Sequence, residues 1–126
     1  MIESCTPDSR RALQFAKALA HGVAELGSED PTHDAIELTS GLRAWMGRTA
    51  VGLEEAWTGV LMLRRALLEV AGLDCESEPT PLRSVDPAIA LVGMTVYMDG
   101  LLERAARATD KGRWAVAGDA VGRLSA

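Results

Sequence analysis

The chain has 126 residues, 48% of them hydrophobic and 25% charged, with a formal net charge of −5. That length is expected to give a single domain, residues 1–126, with a core of its own, and the acidic balance argues against nucleic acid, whose binding needs a basic face. The uncharged run AIALVGMTVYM over Ala88–Met98 is eleven residues, well short of the roughly 20 that a membrane-spanning helix needs.

After an arm over 1–6, expected to be flexible, Thr6-Pro7-Asp8 combines an N-cap residue, a proline at the first helical position and a carboxylate at the positive end of the dipole. The helix it opens is expected to reach Leu26, with Leu13, Ala16, Leu19, Ala20, Val23 and Leu26 as its apolar stripe and Gly27 as its left-handed end. Asp30-Pro31 repeats the start signal for a second helix lined by Ala35, Leu38, Leu42, Trp45 and Met46, and Gly47 to Gly52 reads as a break or a kink. A third helix runs from Leu53 to Gly72 with Leu53, Trp57, Val60, Leu61, Leu67 and Leu68 inward and Arg64, Arg65 and Glu69 toward water. Residues 73–86, with Pro79 and Pro81, form a linker, and Asp86-Pro87 starts a fourth helix. Because Ala88–Met98 is apolar all round, this helix is expected to be the buried centre of a bundle. Asp110 is expected to cap a short fifth helix carrying Trp114, Val116, Val121 and Leu124. No stretch alternates with period two, so the fold is all-α: four main helices plus a short C-terminal one. Cys5 and Cys75 stand far apart with no zinc-ligand spacing, which reads as two reduced thiols in a cytoplasmic protein or else as a disulfide tying the N-terminal arm to the linker.

Arg48-Thr49-Ala50-Val51-Gly52-Leu53-Glu54-Glu55, followed by Leu63-Arg64-Arg65 and Leu68 and later by Met98-Asp99-Gly100-Leu101-Leu102, resembles the helical N-terminal sensor modules of stressosome co-antagonist proteins and related bacterial regulators. The interval from Gly52 to Glu54-Glu55 is shorter here than in that family. The resemblance implies a dimerising input or partner-binding module. Read as standing alone, such a module is expected to signal by contact with another protein.

Three constellations carry chemistry. His21 with Glu25, and His33 with Glu37, each put an imidazole and a carboxylate one turn apart. If the first two helices form an antiparallel hairpin centred near Glu29, the four converge as a ligand set suited to zinc or iron; otherwise they are two solvated pairs. Trp45, Trp57, Met94, Tyr97 and Met98 are the residues expected to line an apolar ligand pocket, with Tyr97 as its polar handle, or else simply to fill the core. Gly118 and Gly122, with Trp114 one turn before them, suit close helix packing within the chain or a homodimer seam. No catalytic nucleophile arrangement and no phosphate-binding glycine loop is visible, and the sequence specifies no cofactor. A regulatory or interaction module is therefore the first functional reading. A small helical enzyme or metal protein is the second.

Overall fold

Two of the helix starts form where local chemistry places them. Asp86 accepts a hydrogen bond from the Ala88 amide at 2.8 Å, with Pro87 at the first helical position. Gly52 precedes the third helix, and its amide donates to Glu55 Oε1 at 2.7 Å, so that Glu55 closes the first turn on itself. The computed structural model describes residues 7–26, 31–74 and 86–125. These form five helices: α1 (Pro7–Ala24), α2 (Pro31–Thr49), α3 (Leu53–Ala71), α4 (Pro87–Thr109) and α5 (Arg113–Ser125). The fold is an all-α bundle with no strand among the described residues. No helix among them is long and apolar enough to cross a membrane.

The C-terminal ends differ more from expectation. α1 ends at Ala24, and Leu26 is held by a tighter turn onto the Val23 carbonyl at 3.0 Å. α2 runs through Gly47 without a break and stops only after Thr49. There Ala50 takes φ 58°, and the Val51 amide reaches back to the Met46 carbonyl at 3.0 Å. This is the helix ending usually given to glycine, and burial of Val51 accompanies it. Asp110 does not open α5; at φ 55° it terminates α4 in the same way, with the Lys111 amide on the Ala106 carbonyl. Gly72 at φ 67° ends α3. Gly27, Cys5, Cys75 and the arm over 1–6 lie outside the described residues, as does most of the 73–86 linker.

The most extensive packing is α1 against α3. Arg11 meets Glu55 at 3.6 Å, and a Cβ on Gly59 would stand 2.6 Å from the Ala12 carbonyl oxygen. Further on, Ala20 and Val23 share a core gap with Leu63 and Leu67. Residue numbers rise together on both helices, so α1 and α3 run parallel. α2 returns antiparallel to α1, with Leu38 against Gly22 and Trp45 against Phe15. α4 touches all four other helices. It is not apolar-buried all round, however: Ile89 is 59% and Val96 54% exposed. Its inner side, Ala90, Leu91, Met94, Thr95, Met98, Leu101 and Leu102, does enter the core. No charged residue in Ala88–Met98 marks the outer face, so periodicity in the sequence does not separate a half-exposed helix from a wholly buried one here. Arg64, expected in water, is buried.

Candidate functional site

The hairpin quartet is placed first by register. Gly22 faces Leu38 and Phe15 faces Trp45, which sets His21 level with Thr39 and not with Glu37. His21, Glu25 and Glu37 are all exposed. The His33 side chain lies outside the described residues. Among the described residues no three His, Cys, Asp or Glu side chains are grouped to hold a metal ion.

The aromatic and methionine set is drawn into packing. Met98 and Met94 are buried in the core, and Trp45, Trp57 and Tyr97 pack partly buried against it. Trp45 stands on Phe15 with ring centroids 6.4 Å apart, a separation within the favourable range for aromatic pairs. The gap beside Met98 is lined by Ala20, Leu63, Leu102 and Ala117 and is too tight to admit a water molecule. The Tyr97 hydroxyl accepts a hydrogen bond from Arg64 Nε at 3.1 Å. This joins α3 to α4 through a polar pair beneath the surface, where an unmatched cation would be costly. Across the bundle, the buried Thr39 and Thr95 hydroxyls pair at 3.4 Å and join α2 to α4.

α5 presents the third set to solvent. Trp114 is 58% exposed. Gly118 and Gly122 follow at successive four-residue intervals, so all three lie along one side of the helix. A Cβ at either glycine would meet nothing within 4 Å among the described residues, and close packing within them therefore does not account for these glycines. Beside them runs an open trough lined by Val70, Lys111, Gly118, Asp119, Gly122 and Arg123. A second hollow, floored by Met62, Ala66 and Leu124, shares Arg123 with it. Ion pairs form the rim: Lys111 with Asp119 at 3.2 Å and Arg123 with Glu69 at 3.5 Å.

The inner side of α5 is seated by Val116, Ala117 and Ala120, all buried. At its first residue Arg113 donates to the Val23 carbonyl at 2.8 Å, to Glu103 Oε1 at 3.0 Å and to Asp99 Oδ1. One guanidinium thus ties α5 to the end of α1 and to α4. The Arg113 hydrogen bond holds the Glu103 carboxyl below its ordinary value; burial opposes this, and Arg107 adds to the lowering. The contribution of Glu103 is therefore present above the ordinary carboxylate range and fades as pH falls through the lowered value. The one local signal of this junction in the sequence is Asp99 and Glu103, two carboxylates one turn apart on α4 whose repulsion a cation relieves. In comparisons with protein families, curated proteins and solved structures, nothing matches this chain.

Proposed function

We propose that the chain is a regulatory module that acts by contact, a cytoplasmic homodimer whose partner-facing surface is the outer side of α5 and the adjoining edge of α3. The exposed Trp114 carries this reading. An indole buries a large area with few rotatable bonds, and tryptophan is enriched at interface centres for that reason. Gly118 and Gly122 on the same side give a second copy room to approach, and the ion-paired rim is the polar border that interfaces share. The implied kinship with dimerising sensor modules points the same way. A stable pair needs about 1,000 Å² of buried surface or more, which requires α3 or α4 to contribute alongside α5.

Sedimentation equilibrium up to high micromolar concentration tests the reading. The wild type is expected to be dimeric, and Trp114→Ala combined with Gly118→Leu to be monomeric with its helical circular dichroism retained. A monomeric wild type throughout, or a variant that still dimerises, overturns it.

A further inference from the structure

We infer that α5 is a detachable strap, opening as a unit on the Asp110–Gly112 joint while α1 to α4 stay folded, and so uncovering an apolar cleft between α1, α3 and α4. Several observations carry this, and none depends on the chain being a dimer. The helix is short, 13 residues, and isolated helices of that length are marginal in water. Gly118 and Gly122 weaken it relative to alanine without any close contact in return. Its first turn has no acidic residue and begins with Arg113, the wrong sign for the positive end of the helix dipole.

The remaining observations concern how α5 is held. Its fully buried side chains are one valine and two alanines, Val116, Ala117 and Ala120, whereas α3 buries Val60, Leu63, Leu67 and Leu68. Beneath Ala117 the packing leaves a gap between Ala20, Val23, Leu63, Leu67, Met98 and Leu102, and dispersion contacts are lost across such a gap. Val121 and Leu124 add only partly buried apolar contacts, and polar bonds complete the hold: Arg113 on Val23, Asp99 and Glu103, and the exposed Arg123 on Glu69. Asp110, at φ 55°, supplies a ready pivot before the helix. Opening breaks these bonds and exposes the floor formed by Val23, Leu63, Leu67, Met98 and Leu102, an apolar channel already shaped for one amphipathic helix.

Native-state hydrogen exchange on the full chain tests this, at two protein concentrations so that pairing through α5 is separated from docking. Backbone amides of α5 are expected to exchange at least about tenfold faster than those of α1 and α3, with a denaturant slope that is measurable but smaller than theirs, in keeping with the smaller surface exposed. Gly118→Ala with Gly122→Ala should slow α5 exchange about tenfold or more and leave α1 and α3 unchanged. Arg113→Met should speed it. The inference is overturned if α5 amides follow the same denaturant-dependent curve as α3, or if the double alanine variant slows both helices alike.

Discussion

Gly59 and the pair Gly118 and Gly122 are the same residue type in the middle of helices, and they stand in opposite circumstances. At Gly59 the missing side chain is the contact itself: Ala12, Phe15 and Ala16 of α1 occupy the space a Cβ would take. On α5 the missing side chains leave open space. Glycine weakens any helix, so the first position is compensated by tertiary packing and the second is not. A glycine's meaning lies in what faces it, and the two regions divide the molecule into a locked pair, α1 with α3, and a helix held more loosely at its edge.

The largest test of that contrast is Gly59→Ala. The clash is with backbone at 2.6 Å, which cannot rotate aside, so a loss of about 2–3 kcal/mol is expected. By thermal unfolding this reads as a midpoint roughly 10 °C lower, and an unchanged midpoint would break the contrast at its stronger end. The same substitution at Gly118, measured at a protein concentration too low for pairing, should act with the opposite sign, raising stability by about 1 kcal/mol in urea unfolding. A loss there would show that α5 already packs through this position. Smallest is Val96→Asp. Had the uncharged stretch of α4 been wholly buried, this change would prevent folding; with Val96 54% exposed, a cost of about 0.5 kcal/mol is expected. Failure of this variant to fold would mean that another surface covers α4.

Much of the fold is legible because its signals are local. Asp86-Pro87 and Gly52 with Glu55 mark helix starts within a few residues, and the apolar stripes of α1 and α3 follow from single-helix periodicity. What escaped reading depends on neighbours distant in sequence. Arg64 looks like a surface residue beside Arg65 until Tyr97 is brought to it from α4. Arg113 looks ordinary until Asp99, Glu103 and Val23 converge on it. Ala50 gives no hint of its left-handed conformation, since that is imposed by the way Val51 turns into the core. The candidate surface divides along the same line. Trp114, Gly118 and Gly122 share a side because spacing within one helix decides it. The expected convergence of His21 with Glu37 required the register between two helices, which Gly22 against Leu38 and Phe15 against Trp45 set differently.

The parallel course of α1 and α3 bears on how the chain reaches this state. Two helices that run the same way cannot be joined by a tight turn, so the locked contact at Ala12 and Gly59 forms only after α2 has carried the chain back between them. Closing so long an intervening segment raises the entropic barrier, and contacts distant in sequence slow folding relative to bundles built from successive hairpins.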